Sequence, residues 1–481
     1  MTKPLSKILI VLCVLMLFLG HQKLLAADSK APKKPNVILI MADDLGYSGI
    51  TSFGGIGLET PALDKLASNG VVCTNFHTNA PVCSPTRVSI MTGSYQQRVG
   101  LNHIYSETGG DEGLDPTKNP SFAKKLQEAG YRTAVFGKWH MGMDMKYNPT
   151  NHGFDEFRGF LKGNVDFISH YNTTPEVDWW HNKEKANEPG YATDLINKYA
   201  VDFVKESEGQ PFFLYVPHAA IHTPIQGRND DPIRTEDTYM YDNGAAMEVH
   251  EYQRRYREMI KILDEGVGML VDELERQGIM ENTMIIFTSD NGALQVAADK
   301  YPGANGYFNG SKATLYEGGI RVPAIFYYPE KFKPHRTDEL MMTMDFMPTI
   351  LEFCGIENDS KIDGTSLLPT LINNEQIQER DVFWANLNSI AMRSGDWKLV
   401  WKKDYSYFPN DEKETTVELF NMMIDSKEQH DLSRDYPERT EIMKAACEEW
   451  WNEVTKGTEL EGISFLEYRF KFDLSKLPKK S

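Results

Sequence analysis

Two acids, Asp43 and Asp44, follow the apolar run VILIM at residues 37–41, and an acid and an amide, Asp290 and Asn291, close TMIIFTSDNG at 283–292. Carboxylate and amide oxygens at the ends of two strands suit a hard cation that takes oxygen ligands. Bases and cations arrive on other segments. Lys138 and His140 close YRTAVFGKWH, and His218 and His222 lie at the end of PFFLYVPHAAIHTP. In NAPVCSPTRVSIMTG, Cys83 stands two residues before Pro85 and four before Arg87, where a helix is expected to begin. Singly, each has a plain alternative: Asp43 and Asp44 as turn residues, Lys138 and His140 as a solvated loop, Cys83 as a small buried hydrophobe. Cations and carboxylates converging on one sheet edge are harder to explain as surface decoration, and such a set would hold an anion.

The elements that must position these groups alternate between strand-like apolar runs and helical patterns, which predicts a mostly parallel sheet covered by helices. A buried strand is expected at 37–41. TPALDKLASNG gives a short helix with Thr60 as N-cap, Pro61 in the first turn and Gly70 as the stop, and SFAKKLQEAG repeats this with Ser121 and Gly130. A long amphipathic helix is expected over 250–277, ahead of the strand that ends in Asp290. Four strands thus deliver polar residues at their carboxyl ends, the edge at which open α/β sheets bind ligands. Beyond about residue 375 the pattern changes to AMRSGDWKLVWKK and TTVELFNMMIDSKEQHDLS, then a helix at 436–454. This reads as a smaller C-terminal α+β subdomain, 376–481, with a small antiparallel sheet, following a catalytic domain at 28–375.

Composition bounds the partners. The chain has 481 residues, 41% hydrophobic and 25% charged, an ordinary globular balance. Lys3 and Lys7 precede an apolar run at 8–19, and small residues follow at Ala26 and Ala27, the pattern of a secretory signal peptide spanning 1–27. Its removal takes away three lysines and no acid, so the formal charge moves from -18 to -21. Nucleic acid is excluded as a partner by that charge. No comparable apolar run follows, so the expectation is an exported protein, periplasmic or secreted, with no membrane attachment after cleavage. Four scattered cysteines in the remaining chain make neither a disulfide framework nor a CxxC zinc pattern, although one pair could form.

CSPTR, residues 83–87, resembles the C-x-P-x-R activation signature of the type I sulfatases, in which the cysteine is oxidised to formylglycine. The resemblance extends through PNVILIMADDLGY, GKWHMG, PHAAIHTP, FTSDNG and NGSKATLYEGGIRVP to ELFNMMIDSKEQHDLS. It implies the alkaline-phosphatase-like fold, an α/β architecture with a large mixed sheet flanked by helices. It also implies calcium (Ca2+) held by Asp43, Asp44, Asp290 and Asn291 together with the modified Cys83. Arg87, Lys138, His140, His222 and Lys312 are the residues it implies for holding sulfate and moving protons, with His218 lining the substrate pocket. The partners that follow are a sulfated carbohydrate substrate and a formylglycine-generating maturation enzyme. A phosphonate or phosphate ester hydrolase of the same superfamily and a noncatalytic binder of sulfated glycans are the rival readings. For the sugar itself, the loop at 168–187 concentrates His170, Tyr171, Trp179, Trp180 and His181. Aromatic faces there could stack on sugar rings, or the tryptophans could simply pack the loop.

Overall fold

The computed structural model describes residues 34–105, 112–238, 244–301, 303–403 and 415–468, so the expected signal segment lies outside the described residues. Its strands in chain order begin with β1 (Asn36–Ala42), β2 (Val71–Cys73), β3 (Phe76–His77), β4 (Arg132–Lys138) and β5 (Glu156–Phe160). Two short strands, β6 (Trp180–His181) and β7 (Glu184–Lys185), precede β8 (Phe212–Pro217) and β9 (Thr283–Ser289). Then come β10 (Ala324–Tyr327), β11 (His335–Thr337) and β12 (Met341–Met342). Ten of these form one sheet in the order β11-β2-β10-β9-β1-β8-β4-β5-β6-β7, and β3 pairs with β12 separately. The centre, β9-β1-β8-β4-β5, is parallel, while β10 and β6 run antiparallel to their neighbours, so the sheet is mixed.

β1 shows why the central strands read as unbroken apolar runs. Ile38, Ile40 and Ala42 enter one core with the helices Pro61–Asn69, Ala192–Glu206 and Val249–Gln277, whereas Val37, Leu39 and Met41 enter another on the opposite face. A strand buried on both faces has no position for a polar residue until it leaves the sheet. The polar residues therefore collect at its end.

The helix at Pro61–Asn69 begins where expected, but Thr60 does not cap it with its side chain. The Thr60 hydroxyl bonds Thr51 instead, and the orphan N–H groups of Ala62 and Leu63 donate to the Asp264 carboxylate at 3.0 and 2.8 Å. A carboxylate from a neighbouring helix takes the place of the local cap and ties the two helices together. Ser121 does cap its helix, accepting the Ala123 N–H at 3.0 Å. No disulfide joins the described cysteines.

After residue 375, β13 (Val382–Asn386), β14 (Ser389–Ser394), β15 (Trp397–Lys403) and β16 (Thr415–Asn421) form an antiparallel sheet, backed by the helix Pro437–Val454. Its apolar face is completed by Tyr95, Leu315, Ile320, Met342 and Met344 from the preceding chain. A buried ion network crosses the same junction. Lys398 on β15 meets Glu317 at 2.8 Å and Glu428 at 2.7 Å, and Glu317 also meets His77 and Arg321, each at 3.1 Å. Lys398, Glu317 and His77 have no exposed side-chain surface. Removing one partner of such a network leaves uncompensated buried charge, which costs about 3–5 kcal/mol. Lys398→Met is therefore expected to lower unfolding stability by that amount, read from denaturant midpoints, while a loss below 1 kcal/mol would show that the carboxylates find other partners.

Candidate active site

Four strand ends and one helix start build the site. Consecutive residues of a strand point to opposite faces, so Asp43 and Asp44 can share one site only if the strand breaks between them. It does: Asp44 adopts φ 61, a left-handed conformation that aspartate tolerates better than most residues. The break is held by backbone and side-chain bonds. The Asp44 N–H donates to Asp290 Oδ1 at 3.1 Å, and the Leu45 N–H donates to Ser289 Oγ at 3.0 Å. Ser289 is a supporting residue that the sequence reading missed, because a serine before an acid carries no signal of its own.

On β4, alternation works as a strand predicts. Lys138 ends the strand on one face while Trp139 after it enters the core on the other, where its indole N–H donates to the Tyr147 carbonyl at 2.9 Å, and His140 follows beyond the strand. Gly137, at φ 127, lets the strand pass β8 closely, since a Cβ there would lie 1.9 Å from the Pro217 carbonyl oxygen. Cys83 and Arg87 share a face of the helix Cys83–Thr92, being four residues apart. No side chain caps that helix, and Pro85 removes an N–H that the first turn would leave unpaired anyway. Its remaining first-turn N–H groups and the helix dipole favour negative charge at residue 83.

Each of the three cations has a different acid as its nearest partner. Lys138 Nζ donates to Asp43 Oδ2 at 2.7 Å, Lys312 Nζ donates to Asp44 Oδ1 at 2.5 Å, and Arg87 Nη2 donates to Asp290 Oδ2 at 2.7 Å. Asn291 Nδ2 also donates to Asp44 Oδ1 at 2.7 Å. His222 Nδ1 bonds the Thr223 carbonyl at 2.8 Å, which turns Nε2 toward Asp44 Oδ2, 3.6 Å away. His140 is buried beside Lys138, at φ 55. His218 lies at the end of β8, its N–H donating to the Met41 carbonyl at 2.8 Å, and no ion pair or hydrogen bond links its ring to the acids.

Burial, then the charge of Asp290, pushes the Asp43 carboxyl up to about 8. Burial works the same way on Asp44 and Asp290, but Lys312 with His222, and Arg87 with Lys138, outweigh it and hold both below the usual carboxylate range. Burial also drives the His222 and His218 rings down to about 3, with Asp44 opposing it at His222. The three cations alone do not stabilise three carboxylates packed this closely.

An added cation would. Oxygens of Asp43 and Asp290 and the sulfur of Cys83 lie within 4.8 Å of one another, as do the ligand atoms of Asp43, Asp44 and His222. Asp43 Oδ1, Asp44 Oδ2 and Asn291 Oδ1 are buried and accept no hydrogen bond. Buried acceptors without donors are rare in folded proteins, and three converging from one cluster fit an oxygen-ligated metal ion.

The aromatic loop stands apart. Trp179 is fully buried, its ring stacked on His170 at 4.2 Å and on Phe160 at 6.2 Å, with its indole N–H 3.3 Å from the Tyr199 hydroxyl. It is a core anchor and offers no face to a sugar, which corrects the expectation of substrate stacking. Trp180 is half-buried with its N–H on Asp178, and His181 is exposed. Both sit on β6, four strands from β1, or roughly 19 Å at the usual strand spacing of ~4.8 Å, so they are not brought into the acid cluster.

Fold and site together define a hydrolase of anionic esters built on an alkaline-phosphatase-like sheet. The family described as Sulfatase matches residues 35–356, and the region described as N-sulphoglucosamine sulphohydrolase, C-terminal, matches 303–455. The chain belongs to the type I sulfatase family, and it is an enzyme of that class, a sulfuric ester hydrolase. N-acetylgalactosamine-6-sulfatase of Mus musculus is 30% identical over 422 residues, covering 82% of this chain and 77% of that protein. The crystal structure of Ps i-CgsB superposes with a TM-score of 0.75 at 30% identity, covering 89% of this chain and 95% of that one. The same protein in complex with k-i-k-neocarrahexaose gives 0.74 at 29%, with 88% and 95% covered. A phosphonate monoester hydrolase of Agrobacterium radiobacter shares the fold, with a TM-score of 0.63 at 19% identity over 87% of this chain and 96% of that one.

Proposed function

We propose that this sulfatase removes sulfate from a sulfated carbohydrate, with formylglycine at position 83 as nucleophile and one calcium ion at the acid cluster. The observation that carries the reading is the buried pairing of Arg87, Lys138 and Lys312 with the three carboxylates beside Cys83, at an uncapped helix start. A carbohydrate substrate is supported by the relatives, one named as an N-acetylgalactosamine-6-sulfatase and one solved in complex with k-i-k-neocarrahexaose. The reading includes export to the periplasm or beyond, supported by the lysines and apolar run of residues 1–27.

The chemistry follows from the charge of the substrate. A sulfate monoester repels nucleophiles, so its nonbridging oxygens must be neutralised first. Asp43, Asp44, Asp290, Asn291 and residue 83 would hold calcium, which supplies Lewis-acid charge when bound. Arg87, Lys138 and Lys312 bring fixed positive charge to the same oxygens. The aldehyde of formylglycine hydrates to a geminal diol, and one hydroxyl gives its proton to Asp290 and attacks sulfur. The bond from sulfur to the sugar oxygen breaks, and the departing alkoxide takes a proton from His222 with Lys312 assisting. His140 then removes the proton of the second hydroxyl, the carbonyl re-forms, and the bond to sulfate oxygen breaks, releasing sulfate and restoring the aldehyde. A serine lacks the second hydroxyl and would stop at the sulfated enzyme.

Protein made with a maturation enzyme, screened against sulfated galactan, ulvan and glycosaminoglycan oligosaccharides beside matched phosphate and phosphonate esters, tests the reading. Sulfate release from at least one oligosaccharide is expected. Turnover confined to the phosphate or phosphonate esters would replace it. Chelation is expected to abolish activity and to lower the melting temperature, and calcium to restore both, since a ligand bound only by the folded state stabilises it. Active protein that contains zinc and neither calcium nor magnesium would refute the calcium assignment.

A further inference from the structure

Lys312 is carried by a loop that the C-terminal sheet contacts through a hydrogen bond. The contact is made by Asn386, the last residue of β13, which is buried. Its Nδ2 donates to the carbonyl of Ala313 at 3.1 Å, and its Oδ1 bonds the Nδ1 of His103 at 2.8 Å. Ala313 is next to Lys312 and sits at φ 73, a left-handed conformation that a residue with a Cβ adopts only when its surroundings impose it. Its N–H donates to the Pro81 carbonyl at 2.8 Å, so this residue is fixed on both sides: by the segment leading to Cys83 through its N–H, and by Asn386 through its carbonyl. The Lys312 N–H is held in turn by the Ala293 carbonyl at 2.9 Å. The segment bearing His103 reaches the nucleophile's helix too, where the Tyr105 N–H meets Ser84 Oγ at 3.4 Å.

We infer that Asn386 is a positioning residue for Lys312: its amide clamps the left-handed turn at Ala313 and thereby aims the Lys312 ammonium at the site. The inference rests on the sulfatase reading above, in which Lys312 binds the sulfate and assists proton transfer. Both hydrogen-bonding ends of the amide are used. The donor end fixes the Lys312 loop, and the acceptor end fixes His103, so one side chain from the C-terminal sheet holds two segments that converge on residue 83.

The test is a double-mutant cycle on an activated aryl sulfate and on the best oligosaccharide substrate. Asn386→Ala is expected to lower kcat about 10-fold in the wild-type background and less than 2-fold in the Lys312→Ala background, because an amide that acts through Lys312 has nothing left to position. Losses that multiply in the double variant, or an Asn386→Ala enzyme with wild-type kcat, overturn the inference. Asn386→Asp covers the case in which the alanine variant fails to fold. It keeps the acceptor for His103 but faces the Ala313 carbonyl with an oxygen, so it is expected to lose kcat like the alanine variant, and wild-type kcat for it also overturns the inference. A wild-type enzyme without sulfatase turnover would instead refute the functional reading, which separates the two failures.

Discussion

Cys83→Ala leaves a folded protein that releases no sulfate, with a loss of about 10⁴-fold or more, the scale on which removal of a covalent nucleophile acts. The expectation rests on position rather than on acidity. Burial pushes the Cys83 thiol up, despite Lys138 and Lys312 nearby, so an unmodified cysteine here would be mostly protonated and a weak nucleophile. The proposed oxidation to the aldehyde would remove that handicap, since the hydrated form attacks through oxygen and carries its own means of release. Mass spectrometry of the peptide containing residue 83 is expected to show formylglycine in active protein, and Cys83→Ser to accumulate a sulfated adduct. Full turnover by protein whose residue 83 is an unmodified thiol would end the mechanism.

His222→Ala is expected to lose 10²- to 10⁴-fold in kcat/KM on a sulfated sugar and far less on an activated aryl sulfate. A sugar alkoxide is a poor leaving group and needs a proton as the bond to sulfur breaks, whereas an activated aryl oxide departs almost unaided. The geometry suits the role: Nδ1 faces the Thr223 carbonyl, so Nε2, turned toward Asp44 and the site, is the nitrogen that would take up and pass on the proton, with Asp44 favouring the charged ring against burial. His140→Ala acts after the alcohol has left. It should slow both substrates alike and trap sulfate on residue 83. Kinetics of both variants on both substrates, with a search for the adduct, distinguish the two histidines. Equal losses for His222→Ala on the two substrates would move the general-acid role to Lys312, whose charge Asp44 and its neighbours stabilise against burial.

The cluster of acids and cations was legible because strands buried on both faces carry no polar residue until they end, so Asp43, Lys138 and Asp290 marked the ends of β1, β4 and β9 before any geometry was known, as His218 marked that of β8. The spacing of Cys83 and Arg87 was legible for a similar reason, as one turn of helix sets it. Trp179 was not, because an aromatic ring serves a core and a sugar equally well and only burial tells them apart. Thr60 misled in the same local way: a good cap residue was present, but Asp264, 201 positions from Leu63, reached the amides first. Lys398 and Asn386 were invisible because their partners Glu317 and Ala313 lie 81 and 73 positions away with no motif between them.

The depth at which Cys83 sits sets a clock. Its side chain starts a helix whose first nine residues are all buried, so no second protein can reach the sulfur once the sheet has closed over it. Closure itself comes late in the life of the chain, because it joins Asp44 to Asn291 across 247 positions and Arg87 to Asp290 across 203. Contacts of such long range form slowly and only after both partners exist. On the proposed mechanism, oxidation of residue 83 by a maturation enzyme would therefore be confined to the interval between its emergence and the arrival of the strand that carries Asp290. Conditions that speed folding past that interval would yield a stable, correctly folded and permanently inert enzyme, and the active fraction of a preparation would report how the two rates compared.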